Sequence, residues 1–337
     1  MSFGFVFPGQ GSQSIGMLSE LVSADSDGLI RATFTEASEV LGYDLWRLVQ
    51  EGPNDQLNAT ERTQPAMLAA GVATWRLWRG RGGALPSVVA GHSLGEFTAL
   101  VCAGALEFRS AVDLVRFRGQ AMQEAVPLGT GAVAAILGLE EAALDEACRE
   151  AAQGETVSAA NFNAPGQIVI AGHTAAVQRA IEGAKARGAK KAVLLPVSVP
   201  VHTVLMRGAA DRLAGRLKSM EISPPQIRFI SAVDAIPHQE SRDIQELLVR
   251  QLPSPVRWSD TVRALTATGA QRRESQEAPA ARHGATGISQ LIECGPGKVL
   301  TALNRRIEKR EGLEFMALED PASVESALAA VKGGGHA

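Results

Sequence analysis

The sequence is poor in cysteine, in long apolar runs and in any excess of positive charge, and each shortage removes a class of function. Three cysteines (Cys102, Cys148 and Cys294) occur in 337 residues. They are widely spaced, with no CxxC pair and no even-numbered framework, so they read as small apolar core residues in a reducing compartment. No apolar stretch approaches the roughly 18 to 20 residues that span a bilayer. The opening MSFGFVFPGQG lacks a basic region and a cleavage site, and does not read as a secretion signal. Formal net charge is −3, without the global basic footprint of a nucleic-acid binder. A cytoplasmic protein that engages neither membrane nor nucleic acid is expected. Two local basic clusters, Lys185 with Arg187, Lys190 and Lys191, and Arg305 with Arg306, Lys309 and Arg310, admit two readings. They are solvated helix faces, or a docking patch for an acidic partner.

What is present suits one large domain, or one domain carrying a smaller insert. Hydrophobic residues make up 45% and charged residues 20%, a mix that supports a sizeable core. Phe3 to Phe7 reads as a short apolar strand stopping at Pro8-Gly9-Gln10-Gly11-Ser12-Gln13, a turn whose backbone N–H groups can face a ligand. Helical periodicity runs through Phe34 to Val40 and Ala66 to Trp78. Ser87 to Gly91 is a buried-strand pattern, followed by a helix from about Leu94 to Ala103. Such alternation predicts a mainly parallel sheet covered on both faces.

Residues 131 to 197 read differently. Strands over Ala132–Leu137, Val157–Phe162, Gln167–Ala171 and Ala192–Val197 frame helices over Glu140–Ala151 and Thr174–Arg187. That β-α-β-β-α-β order is the ferredoxin-like pattern. The expected organisation is therefore an α/β protein. A mainly parallel sheet domain over 1–128 and 198–337 carries a ferredoxin-like insert over 129–197. The first sheet resumes near Phe229–Ala232 and Ile288–Ile292. Gln271 to Gly287 is polar, charged and rich in Ala and Pro, and predicts a mobile surface loop.

Gly91-His92-Ser93-Leu94-Gly95 matches G-x-S-x-G between an apolar strand and a helix. There the glycines permit the strained turn that holds a serine hydroxyl above the sheet edge, and the helix N-terminus offers free N–H groups to a developing oxyanion. Such a serine needs a base within hydrogen-bond reach. Of the six histidines, His92 adjoins Ser93 where side chains diverge. His283 and His336 lie in polar loop and tail, His238 in a polar stretch, and His173 at a strand end inside the insert. His202 remains, closing the run Val197 to Val201 at a sheet edge, either as a base or as a structural histidine. In the helix from about Phe108 to Met122, Arg118 falls on the stripe of Ala111, Val115 and Met122, while Arg109 and Arg116 fall on the polar face. Burying an unpaired guanidinium is costly. Either an internal carboxylate pairs with Arg118, or the residue awaits a carboxylate that arrives with a ligand.

These residues, with FVFPGQGSQ, GYDLW, TQPA, AGHSLGE, NFNAPGQIVIAGH, LPVSVPVH, VRQLPSPVRW and ECGPGKVL, resemble the malonyl-CoA:acyl carrier protein transacylases of bacterial fatty-acid synthesis. They also resemble the related acyltransferase domains of polyketide synthases. The resemblance covers nearly the whole chain apart from 271–287. It implies a hydrolase-like α/β domain with a ferredoxin-like insert. It further implies Ser93 as nucleophile, His202 as general base, Arg118 as clamp for the free malonyl carboxylate, and the Gln10 and Leu94 N–H groups as oxyanion hole. The Gln251 carbonyl would orient the histidine in place of a triad carboxylate. The implied reaction is ping-pong transfer from malonyl-CoA, through a malonyl-serine ester, to the phosphopantetheine thiol of acyl carrier protein. No metal or other cofactor is implied, and a monomer is expected.

Two features depart from the pattern. Val201 stands before the histidine where relatives often carry Ser or Phe, a neighbourhood that helps polyketide relatives choose between malonyl and branched extenders. The 271–287 segment has no counterpart in compact relatives. Competing readings are a serine esterase, which predicts a triad carboxylate and no apolar-face arginine, and a silent carrier-binding scaffold. Within the family, a discrete polyketide-pathway acyltransferase is the alternative.

Overall fold

A computed structural model describes residues 2–127, 129–197, 199–267 and 287–332. The expected 271–287 loop, apart from Gly287, therefore lies outside the described residues, as do His283, His336 and the two predicted boundary residues 128 and 198.

Among the described residues, ten strands form two separate sheets. The first is built from β1 (Phe3–Phe7), β2 (Val88–Gly91), β7 (Arg228–Ile230), β8 (Pro237–His238), β9 (Gln290–Glu293) and β10 (Glu314–Ala317), in the order β10-β9-β1-β2-β7-β8. All its pairings are parallel except that of β7 with β8. Every residue of β1, β2 and β9 is buried, as a parallel sheet covered by helices on both faces requires. The central strand packs Phe5 edge-on against Trp78, ring centroids 5.2 Å apart, which fastens the long Thr60–Gly80 helix to one face of the sheet.

From β1 the sheet grows to one side through β2 and β7, and to the other through β9 and β10. The carboxyl ends of strands beside such a switch point are where open α/β sheets hold ligands. Both the Pro8–Gln13 turn and the Ser93 turn leave the sheet there, after β1 and β2.

The second sheet consists of β3 (Gly131–Leu137), β4 (Val157–Ala164), β5 (Gln167–His173) and β6 (Lys191–Leu194). All its pairings are antiparallel, in the order β4-β5-β3-β6. Its helices, Glu141–Ala152 and Thr174–Ala186, enclose a core of their own with Ile136, Leu144, Ile170 and Ile181. The strand joins the rest of the chain through a parallel bridge from Asn161 to Val256, with Phe162 N–H donating to the Val256 carbonyl at 2.8 Å and Val256 N–H to Ala160 at 2.9 Å.

Of the two basic clusters, the first has two of its four residues in ion pairs. Arg187 reaches Glu150 at 2.6 Å and Lys185 reaches Glu182 at 2.8 Å. In the second, Arg305 donates to the Phe315 carbonyl at 3.0 Å and Arg310 to the Ile288 carbonyl at 2.9 Å. Most of this charge is engaged in local structure.

Candidate active site

Close packing of backbone on backbone creates the Ser93 turn. A Cβ on Gly91 would stand 1.9 Å from the Gly95 carbonyl carbon, and one on Gly95 would stand 2.0 Å from the Phe7 carbonyl oxygen. Only glycine fits either position, so the helix starting at Gly95 presses directly on β1 and β2. Ser93 pays for that fit with a left-handed backbone, φ 50°, a conformation uncommon in non-glycine residues and concentrated at functional sites. His202 is likewise left-handed, φ 59°.

The two meet. Ser93 Oγ lies 2.8 Å from His202 Nε2. His202 Nδ1 faces two backbone carbonyls, Gln251 at 2.9 Å and Ser254 at 3.1 Å. A carbonyl can only accept, so Nδ1 carries the proton and Nε2 presents its lone pair to the serine hydroxyl. No carboxylate bonds to His202 among the described residues. Burial, and next the nearby Arg118 guanidinium, push the imidazole from 6.5 down to about 3. The ring is therefore neutral at physiological pH.

Arg118 comes from the Phe108–Gln123 helix and is 1% exposed. Sequence periodicity places it on the apolar face, and the structure places it against Ser93, with Nη2 3.2 Å from Ser93 Oγ. No carboxylate hydrogen-bonds to it among the described residues. Nη1 donates to Gln64 Oε1 at 2.9 Å and Nη2 to Gln251 Oε1 at 2.7 Å, while Nε is buried with no acceptor. The Phe97 ring lies below, 5.4 Å from Cζ to centroid, an additional contact for a cation. Burial lowers the guanidinium to about 10, so it stays charged at neutral pH. A buried cation held only by two neutral amides and the Ser93 hydroxyl, with Nε lacking an acceptor, is suited to pairing with an anion.

Gln251 is the junction. Its backbone carbonyl meets His202, its side-chain oxygen meets Arg118, and its side-chain Nε2 donates to the Ser93 carbonyl at 2.9 Å and to Glu96 Oε2. Glu96, inside the Gly95–Cys102 helix, also accepts from the Ala232 N–H at 2.6 Å. Burial raises its carboxyl to about 7. The sequence reading had no role for Gln64, Glu96 or the side chain of Gln251.

The other histidines among the described residues are engaged locally. His92 Nε2 meets Asn163 Oδ1 at 2.8 Å, His173 Nδ1 accepts from the Thr156 N–H at 2.9 Å, and His238 lies 3.1 Å from Asp234. The backbone N–H groups of Gln10, after β1, and Leu94, after Ser93, have no acceptor among the described residues. No cluster of three or more His, Cys, Asp or Glu suited to a metal ion occurs among the described residues, and no helix there is long and apolar enough to cross a membrane.

This geometry has known counterparts. A family model described as acyl transferase domain matches residues 4–272. The malonyl CoA-acyl carrier protein transacylase of Salmonella typhimurium is 49% identical over 326 residues, 97% of this chain and 98% of that one. The Bacillus subtilis protein of the same name is 41% identical over 329 residues, 97% of this chain and 96% of its own. Among solved structures, a malonyl-transacylase in complex with its type II PKS acyl-carrier protein matches with TM-score 0.90 and 50% identity, over 98% of this chain and 100% of that one. An acyl carrier protein S-malonyltransferase from Vibrio cholerae matches with TM-score 0.87 and 52% identity, over 97% and 100%. With a serine turn, a neutral imidazole and a family model spanning most of its length, the chain belongs to the acyl transferase domain family.

Proposed function

We propose that this acyltransferase moves the malonyl group of malonyl-CoA to the phosphopantetheine thiol of acyl carrier protein in fatty-acid synthesis, through a malonyl ester on Ser93. His202 Nε2 takes the hydroxyl proton as Oγ attacks the thioester carbonyl carbon. The tetrahedral oxyanion is received by the idle N–H groups of Leu94 and Gln10. On collapse the C–S bond breaks, and the proton on Nε2 passes to the departing CoA thiolate. The carrier thiol then gives its proton to the same nitrogen and attacks the ester, and the sequence runs backwards to restore Ser93. Each half-reaction returns every proton it borrows.

Arg118 supplies selectivity. The free malonyl carboxylate pairs with Arg118 beside Ser93 and accepts a charge-assisted pair from the planar fork. It also neutralises the positive charge that depresses His202, so the correct substrate strengthens the base that will act on it. The single observation that carries this reading is the buried guanidinium 3.2 Å from the nucleophile with no internal carboxylate partner. A serine esterase would need neither the cation nor its idle donor.

The roles of Gln251 as histidine-orienting carbonyl and of 129–197 as a ferredoxin-like insert in a hydrolase-like domain of 1–128 and 198–337 belong to the same proposal. The second-third-first-fourth strand order of the antiparallel sheet and its separate core support that division. Three buried free thiols fit a cytoplasmic setting, and we read the protein as a monomer that needs no metal or other cofactor. A discrete polyketide-pathway role draws on the 50% identity to a transacylase solved with a PKS carrier.

Intact-protein mass spectrometry tests the reaction. Incubation with malonyl-CoA should add one malonyl group, later addition of acyl carrier protein should remove it, and Ser93→Ala should never acquire it. An adduct that persists in Ser93→Ala refutes the nucleophile. Faster transfer to a polyketide carrier than to a fatty-acid carrier would move the pathway assignment.

A further inference from the structure

Glu96 is 1% exposed, yet no lysine, arginine or histidine lies within ion-pair distance of it among the described residues. Its Oε1 accepts from the Ala232 N–H and its Oε2 from Gln251 Nε2. A glutamine amide has one donor end and one acceptor end, and its environment decides which way they point. Here all three neighbours demand the same answer, the Ser93 carbonyl, an acceptor at 2.9 Å, working alongside Glu96. A guanidinium can only donate, so it requires Oε1 of Gln251. An ionised carboxylate can only accept, so it requires Nε2. Donation therefore runs in one direction from Arg118 through Gln251 to Glu96, linking a buried cation and a buried anion through a neutral spacer.

We propose that Glu96 is a positioning residue for malonyl recognition: it fixes the Gln251 amide with its oxygen toward Arg118, and so aims the guanidinium without occupying its anion site. This rests on the reading of Arg118 as the malonyl clamp. The spacer matters because a carboxylate in direct contact with Arg118 would compete with the substrate carboxylate for the same fork. Set one amide away, Glu96 stabilises the cation through space and leaves Nε free.

The charged and titratable groups facing Glu96 are Arg118 from the Phe108–Gln123 helix and Asp234 from the segment after β7. Asp234 is itself paired with Arg250 at 2.5 Å and with His238. With its carboxyl held near 7 by burial, Glu96 gains its proton as pH falls through neutrality. The neutral acid is a weaker acceptor for Gln251, and the alignment loosens.

The decisive measurement is the ratio of kcat/KM for malonyl-CoA to that for acetyl-CoA. In Glu96→Gln an amide keeps an oxygen for Ala232 but turns a donor toward the Gln251 donor. The ratio should fall about tenfold, carried mainly by KM for malonyl-CoA. Inactivation of Ser93 by an uncharged sulfonyl fluoride should fall far less than malonyl transfer does. In the unsubstituted protein the ratio should decline as pH drops from about 8 to 6, and in Glu96→Gln it should be flat. The phosphates of CoA are common to both substrates and cancel. If Glu96→Gln slows malonyl transfer, acetyl transfer and inactivation by one common factor, Glu96 is only a structural acid and the proposal is overturned. A pH-independent ratio in the unsubstituted protein overturns it as well, and needs no variant to fold. If Arg118→Ala collapses the ratio while Glu96→Gln leaves it intact, this proposal fails alone. If neither changes it, the clamp reading has failed beneath it.

Discussion

Replacing Arg118 by alanine has three separable effects. The fork loses the malonyl carboxylate. A charge-assisted hydrogen bond contributes on the order of 1.5–3 kcal/mol, and a desolvated two-point contact that also engages the idle Nε lies at the upper end of that range. About 3 kcal/mol is roughly a hundredfold in specificity. Gln64 and Gln251 each lose the donor that satisfied a side-chain oxygen, at about 1–3 kcal/mol apiece if no water replaces it, so stability should fall too. His202 loses the cation that is the second largest cause of its depression, which favours the base. Absolute rates mix all three effects, whereas the malonyl to acetyl ratio of kcat/KM isolates the first. That ratio should fall about a hundredfold in Arg118→Ala and recover only in part in Arg118→Lys, because an ammonium cannot make the planar contact. If the ratio is unchanged while both rates fall together, Arg118 is an architectural cation and the assignment of the malonyl site is refuted.

Two further expectations follow from the same geometry. Because the folded enzyme holds the imidazole at about 3 rather than 6.5, His202 stays neutral on acidification. Ser93 inactivation by an uncharged sulfonyl fluoride should then stay level from pH 7 to 5 and fall only below about 4; a fall centred near 6.5 would show that burial does not depress the base. Gly95→Ala drives a methyl group into the Phe7 carbonyl at 2.0 Å, an overpacking of backbone that costs about 3 kcal/mol or more. It should lower the melting temperature by several degrees and abolish Ser93 labelling, whereas unchanged labelling would mean the turn has slack that the structure denies it.

How much could be read in advance depended on contrast along the chain. Phe3–Phe7 and Val88–Gly91 stood out because each is a short apolar run stopped by glycine. Arg118 stood out because the Phe108–Gln123 helix has one apolar and one polar face. Glu96 and Gln64 had no such background. Gly95 to Leu100 are all buried, as are residues 63 to 74, and a helix surrounded on every side has no polar face against which a misplaced polar residue can be recognised. The Gln251 side chain was hidden for another reason: its three partners, Arg118, Ser93 and Glu96, lie 133 to 158 residues away in sequence, and no local pattern encodes a junction of that kind. Strand β8, at two residues, was too short to carry alternation, and β10 at four residues is only half-buried.

The absence of an acid beside His202 follows from the presence of Arg118. A serine hydrolase commonly orients its histidine with a carboxylate at Nδ1. Here such a group would stand in the position now held by the Gln251 and Ser254 carbonyls, and Gln251 also contacts Arg118 through its side chain. A full negative charge so close to an unpaired buried guanidinium would be drawn to it, since opposite charges at a few ångströms attract strongly in a dry interior. The histidine would lose its partner, or the fork would be filled before substrate arrived. Two carbonyl dipoles set the same tautomer without offering a rival anion. Glu96, the carboxylate joined to this network, is kept one amide away, and burial raises its carboxyl to about 7. On the proposed role of Arg118, an enzyme that selects its substrate by a carboxylate must keep its own carboxylates out of reach of the selecting cation, and this arrangement of Gln251, Glu96 and His202 does so.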